Sequence, residues 1–542
     1  MHGMAKIKAS EAEKEKKRKE KEDKARQYME SMKKILEKRE KSEMDDEALT
    51  LMSDILVEHP DVYTLWNFRK EILLTYKDNK SEEELTPLVT SEMRLTEICL
   101  RANPKSYNAW YHRLWLLNHL PKADLETELM ICNKYLKLDS RNFHCWDYRR
   151  EVVSKLAIPE SEELTYTLAK IEENFSNYSS WHYRSKLLPL VYKDPTGIRP
   201  IKEEIHVQEL ELVQNAAFTD PTDSSAWFYL RWLLGRLEPK LTVVSCYIKN
   251  KNIYLALSKC LTSDDNYAIE VEGQSLKEFF LDKTARLWMG VLPSNLPSEL
   301  KIVFIINETK EEIILNKENN FAYFVKPQFE AYVGKKLLSV LNEQLDSCNQ
   351  LLELEPESKW TLLTSVVLME AIDKAKYNDV ILNRIELLSK VDSLRRNYYF
   401  DTRSKFLIEM KLENWEPNEN IDLSKLNLSA LYHSQYLSYA VNVDLSGNNL
   451  EEKSLPLLSC LVNCEVLSLR GNRLKSLKGF PYLKSLKKLD LSNNKFDEES
   501  KLFPYLSKLE MLKELNICNN TFVNEAKDID FKIAGVSVIY KT

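Results

Sequence analysis

Two cations stand where a repeated frame holds everything around them constant. Five residues before Trp66, Trp110, Trp146, Trp181 and Trp227 lie Asp61, Lys105, Arg141, Ser176 and Thr222, and only the second and third of these are basic. Helix starts read at Asn103-Pro104 and Asp139-Ser140 put Lys105 and Arg141 in a first helical turn, where a cation opposes the helix dipole. A charge set against its own helix suits an anion, and Lys105 beside free backbone N–H groups makes a phosphate or diphosphate site. A solvated surface lysine is the plain alternative.

No complete active site accompanies these cations. HExxH and GxSxG are absent, and the eight histidines include no pair at metal-ligand spacing beside a Cys or carboxylate cluster. Glycine is scarce at ten residues, and between Gly3 and Gly334 no two stand closer than Gly273 and Gly290, which excludes GxGxxG and GxxxxGK phosphate loops. A phosphorylated ligand would therefore be met by side chains and helix N-termini. Nine cysteines without a CxxC read as reduced thiols, with Cys460 and Cys464 as core residues. The charge balance, 77 basic against 83 acidic for a net −6, gives no positive field to hold a nucleic acid. No apolar run reaches the roughly 18 residues of a membrane span. The expected location is the cytoplasm, with no integral membrane span.

The elements that must position the cations follow from two internal repeats. The first is Pro-x-x-aromatic-x-x-Trp-x-x-Arg, written "PDVYTLWNFR", "PKSYNAWYHR", "SRNFHCWDYR", "FSNYSSWHYR" and "PTDSSAWFYLR", with tryptophans 44, 36, 35 and 46 residues apart. Each copy follows an amphipathic stretch, so each unit reads as helix, turn and motif-bearing helix. Aromatic, Trp and Arg recur every third residue, which predicts one packed face with the arginines paired to acids. The fifth copy carries Ser224 for the aromatic and shifts its arginine to Arg231. A degraded sixth, "PESKW", ends at Trp360.

From 241 to 336 seven alternating β-branched and aromatic runs predict a small Ig-like β-sandwich inserted into the helical array. The second repeat, L-x-x-L-x-L-x-x-N-x-L, carries Asn448, Asn472, Asn494 and Asn520 at spacings of 24, 22 and 26. It predicts a leucine-rich solenoid whose buried asparagines satisfy backbone groups. The fold class is thus mostly α. The expected divisions are a charged N-terminal helix at 1–44, helical repeats at 45–240, the sandwich at 241–336, resumed helices at 337–414 and leucine-rich repeats at 415–542.

The tryptophan copies, "NPKSYNAWYHR" and "RNFHCWDYR" above all, resemble the repeats of protein prenyltransferase α subunits. The likeness covers 45 to 240 and resumes at 337 to 410. The sandwich and the leucine-rich repeats resemble the Rab geranylgeranyltransferase (type II) branch, since the farnesyltransferase and type I α subunit lacks both. This resemblance implies an α-α superhelical crescent around a β subunit that supplies zinc and the isoprenoid pocket. It implies transfer of geranylgeranyl from geranylgeranyl diphosphate to C-terminal cysteines of Rab GTPases presented by a Rab escort protein. Lys105 matches the lysine near the diphosphate, and Tyr107, Asn142 and His144 match positions facing the substrate cleft, with Arg141 beside them. His2 matches a tail histidine of relatives that acts as a transient ligand of the partner's zinc. Two other readings stay open: an α subunit acting on CaaX proteins, and a non-enzymatic repeat scaffold.

Overall fold

In the last four tryptophan units the chain needs one residue type to end a helix and another to begin the next, and it spends two polar residues three positions apart on the task. Asn103, Asp139, Asn174 and Asp220 are C-caps of the preceding helices. Their side-chain oxygens accept the backbone N–H groups of Lys105, Arg141, Ser176 and Thr222 at 3.0–3.1 Å. The next helix starts three residues later, at N-caps Ser106, Asn142, Asn177 and Asp223. The helix starts read at Asn103-Pro104 and Asp139-Ser140 are thereby corrected. Lys105 and Arg141 stand ahead of the N-cap, in an Asx turn, and not in the first helical turn.

The structure is a computed structural model that describes residues 11–120, 124–195, 199–235, 241–249, 251–262, 265–276, 279–281, 286–292, 297–307, 309–319, 321–327, 329, 335–416, 419–525, 533 and 535–540. It divides into the units Met1–Lys193 and Asp194–Thr542. The first unit holds α1 (Glu11–Glu40), α2 (Asp46–Glu58), α3 (Tyr63–Asn79), α4 (Glu82–Ala102), α5 (Tyr107–His119), α6 (Leu125–Leu138), α7 (Phe143–Leu156), α8 (Glu160–Glu173) and α9 (Tyr178–Val191).

Within this unit each motif residue has a separate job. The indoles of Trp66, Trp110, Trp146 and Trp181 are buried, and each Nε1–H donates to the carbonyl six residues earlier, at Pro60, Pro104, Ser140 and Phe175. That bond pins the turn to the helix and explains why the position is Trp and not Phe. The arginines Arg69, Arg113 and Arg149 are buried and fork onto Glu92, Glu128 and Glu163, each on the first helix of the following unit. His112 and Tyr148, two residues after their tryptophans, bond the same acids, Glu92 at 3.0 Å and Glu128 at 2.7 Å. Each glutamate thus joins the arginine of one unit to the His or Tyr of the next. The motif aromatics leave the packed face: Tyr63, Tyr107, Phe143 and Tyr178 are exposed, at 66%, 66%, 48% and 51%. The expected single face of aromatic, Trp and Arg is corrected to a buried Trp–Arg face edged by exposed rings.

The second unit opens with α10 (Glu203–Thr219) and α11 (Ser224–Leu234). Here Tyr229 bonds Glu209 at 2.6 Å, but Leu230 fills the arginine slot. Arg231 instead stacks on Phe228 and Trp360 at 4.7 and 5.1 Å, and burial lowers it to about 10.

Strands β1 (Val243–Lys249), β2 (Asn252–Leu257), β3 (Tyr267–Val271), β4 (Gln274–Ser275), β5 (Phe279–Leu281), β6 (Leu287–Val291), β7 (Glu299–Ile306), β8 (Thr309–Asn316) and β9 (Ala322–Phe324) follow. They form antiparallel sheets of order β5-β6-β2-β1-β9 and β4-β3-β7-β8. Both sheets feed one core, Ile253, Leu255 and Trp288 from one against Ile302, Phe304 and Ile313 from the other. All seven expected runs are strands; β4 and β5 are too short to show alternation.

Helices resume as α12 (Lys335–Leu354), α13 (Lys359–Asp373), α14 (Asn378–Val391) and α15 (Arg396–Asn414). A parallel sheet of β10 (Asn420–Asp422), β11 (Asn442–Asp444), β12 (Val466–Ser468), β13 (Lys488–Asp490), β14 (Glu514–Asn516) and β15 (Ser537–Ile539) ends the chain. Its leucines form one core, and Asn472 donates to the carbonyls of Leu445 and Leu469 while accepting from Leu450 N, a pattern that Asn448, Asn494 and Asn520 repeat. Cys460 and Cys464 are buried in this region and form no disulfide.

Candidate functional site

Lys105 is 66% exposed and its Nζ lies 3.2 Å from Asp139 Oδ2. The turn that presents it is held from three sides. Asn103 caps it, Trp110 Nε1 and Asn142 Nδ2 both donate to the Pro104 carbonyl, and Ser106 Oγ donates to Asp61 Oδ1 at 2.6 Å. A flexible side chain therefore rises from a rigid base, and its partner carboxylate is fixed too, because Asp139 Oδ1 accepts Arg141 N–H.

Beside it, the exposed Tyr107 ring meets the His144 ring edge-on at 4.1 Å, and Phe143 lies 3.9 Å from His144. Together with Tyr111, Leu114 and Asp147 they line a cavity of about 190 Å³. Tyr111 is 61% exposed, and Lys70 Nζ sits 4.3 Å over its ring. His144 is held below its ordinary value by burial, with Asp147 opposing and the nearby Lys105 charge assisting, so the ring is neutral at pH 7. The arrangement is an aromatic hollow with a cation at its edge. It suits a ligand with an apolar body and an anionic end.

The residues singled out in the sequence divide accordingly. Lys105, Tyr107 and His144 come together. Asn142 does not line the hollow: it is 1% exposed and caps α7, and its amide is used on Cys145 N and the Pro104 carbonyl. Arg141 has its backbone on Asp139 while its exposed guanidinium has no hydrogen bond or ion pair among the described residues. His2 lies outside the described residues. Phe143, Tyr111 and Asp139 were not singled out. Phe143 holds the same motif position as Tyr107, and Tyr111 follows Tyr107 by one helical turn, so the periodicity carried both. In the sequence Asp139 reads as a cap alone. Among the described residues no group of three or more His, Cys, Asp or Glu side chains is arranged to hold a metal ion. No described helix is long and apolar enough to cross a membrane.

Residues 45–76, 89–120, 125–156, 160–190 and 207–237 match the protein prenyltransferase alpha subunit repeat, and 462–504 match leucine rich repeats. The fold is thus that of prenyltransferase α-type repeats carrying a sandwich and a leucine-rich solenoid. The geranylgeranyl transferase type-2 subunit alpha of Bos taurus is 38% identical over 536 residues, 94% of each chain. That of Homo sapiens is 38% identical over 537 residues, again 94% of each. The Dictyostelium discoideum protein of the same name is 39% identical over 240 residues, 44% of this chain and 76% of its own. This chain belongs to the geranylgeranyl transferase type-2 α-subunit family.

Proposed function

We propose that this chain is the α subunit of a heterodimeric protein geranylgeranyltransferase, acting in the cytoplasm on C-terminal cysteines of Rab GTPases that a Rab escort protein presents. A prenyltransferase β subunit covers the exposed aromatic edge of Tyr63, Tyr107, Phe143 and Tyr178. Zinc belongs to that partner. The observation that carries the reading is the exposed Lys105 cation, presented from a rigid turn beside the Tyr107–His144 hollow.

The chain's own contribution is electrostatic. As the bond between isoprenoid C1 and the diphosphate oxygen lengthens, negative charge grows on the leaving diphosphate. Lys105 exchanges Asp139 for that charge, and Arg141 adds a second cation from the corresponding turn of the next unit. Because both turns are already fixed, little reorganisation accompanies the step. Neutral His144 and Tyr107 form an apolar wall that excludes water from the reacting end.

The test is transfer of labelled geranylgeranyl to a Rab by this chain co-expressed with a β subunit, with and without escort protein, beside a CaaX peptide. Escort-dependent Rab labelling that falls in Lys105→Ala supports the reading. Labelling of the CaaX peptide instead, or a stable complex that labels neither, refutes it.

A further inference from the structure

Arg69, Arg113 and Arg149 of the repeat frame are matched by buried glutamates. Arg384 on α14 is not. Its Nη2 donates to Asn349 Oδ1 at 2.7 Å, while Nη1 is buried without an acceptor. Among the described residues no carboxylate pairs with it; the neighbouring Cys348 thiol is pushed up to about 12 by burial and stays neutral. Burial accordingly holds the guanidinium below its ordinary value. An uncompensated, half-buried cation costs stability, and a fold keeps one where something else supplies the anion.

Arg384 lines a pocket of about 370 Å³ between α12, α13 and α14, with Leu345, Leu352, Met369, Tyr377 and Val380 as its walls. Glu353, the other charged lining residue, is exposed at the rim, where water screens it. The apolar surface continues outward: Val380 is 41% exposed, and Leu354 at the end of α12 is 82% exposed. A free metabolite would leave that rim bare, whereas the flanking residues of a polypeptide would cover it.

We propose that this pocket docks a partner protein through a carboxylate side chain adjoining an aromatic or aliphatic residue, the carboxylate forking onto Arg384 and the apolar group entering between Leu352 and Val380. The partner is identified by that chemistry alone, and the site is separate from the Lys105 hollow.

The test uses the full chain with ¹³C-methyl methionine, because Met369 lines the pocket and is 1% exposed. N-acetyl-Asp-Phe-amide should shift the Met369 methyl resonance saturably, with N-acetyl-Asn-Phe-amide weaker by about tenfold or more. Arg384→Leu should abolish the shift without lowering Tm, since it removes an unpaired buried cation. Arg384→Lys, which keeps the charge and loses the fork, should weaken it. Equal shifts from the Asn peptide, an undiminished shift in Arg384→Leu, or no shift in the native chain overturns the site. A drop in Tm for Arg384→Leu assigns the residue to holding α12 on α14 instead. Binding of 4-phenylbutyrate as tight as that of the Asp peptide would overturn the protein partner in favour of a free carboxylate.

Discussion

Asp139 divides its carboxylate between the Lys105 cation and a backbone amide: Oδ2 lies 3.2 Å from Lys105 Nζ, and Oδ1 accepts the backbone N–H of Arg141 at 3.0 Å. The first contact is exposed and worth about 0–1 kcal/mol, so an incoming anion displaces it easily. The second is local and fixes where the carboxylate stands.

Lys105→Ala should therefore leave stability almost unchanged while lowering kcat about 100-fold, the effect of losing a preorganised charge worth on the order of 3 kcal/mol in the transition state. Asp139→Asn should cost far less in kcat, because the amide keeps the Asx turn as Asn103 and Asn174 do, and the lysine stays charged. Steady-state kinetics of the heterodimer, with thermal melts as control, separate the two. Equal losses in both variants would move the important charge from Lys105 to Asp139.

Removing Arg113 should be severe. Glu128 would lose both guanidinium bonds and keep only Tyr148 Oη, leaving a buried carboxylate poorly compensated. Arg113→Leu is expected to cost about 3–5 kcal/mol, and the Arg113→Leu/Glu128→Leu pair markedly less than the sum of the single changes. Urea denaturation of the four proteins of this cycle measures the coupling.

The tryptophan turns make a finer prediction. Trp146→Phe leaves the Ser140 carbonyl without its indole donor, at a cost of about 1–2 kcal/mol from the lost bond. Trp110→Phe should cost less, because Asn142 Nδ2 still donates to the Pro104 carbonyl at 2.8 Å. Comparing both in one unfolding experiment, with ring burial kept the same, reads the difference directly.

Acid should unfold the first unit in two stages. Burial alone would raise the Glu92 carboxyl, but the Arg69 guanidinium and the His112 ring hold it at about 2, below its ordinary 4.5. A lowered folded value means the stabilisation is complete above 4.5 and is lost as pH falls toward 2. His112 acts in the same sense at higher pH: burial lowers its ring, so below 6.5 the unfolded chain takes up a proton that the folded chain refuses. Tm measured against pH should begin to fall below 6.5 and fall more steeply below 4.5. His112→Gln should flatten the upper branch relative to the native chain, and Glu92→Gln the lower. Unchanged slopes in both variants would contradict the assignment.

The exposed rings show where reading by period stops. Steps of three residues each rotate about 60° away from a helix face, so Tyr107 and Arg113, two steps apart, differ by about 120°. Trp110 between them is buried, Arg113 reaches the following helix, and Tyr107 rolls out to the edge. The three-residue spacing is visible in the chain, but which end of the series turns outward depends on where the next helix lies. The helix start is ambiguous for a related reason. Asn103 and Ser106 are both good caps, and only the geometry makes one end a helix and the other begin one.

By itself the sequence determined whatever depends on local period: five tryptophan units, seven of the strands, and the asparagine ladder of the leucine-rich repeats. Each is a pattern in which neighbouring residues alternate between core and solvent, and hydrophobic burial enforces it wherever the segment packs. It also marked Lys105 and Arg141, because these two basic residues stand out at one position of a constant frame. The tertiary structure alone decided the pairings between distant residues. Asp139 lies 34 positions from Lys105, Glu128 is 15 from Arg113, and Arg384 pairs with no acid among the described residues. A charge's partner is set by which helices come within about 4 Å of each other, and no one-dimensional period encodes that distance.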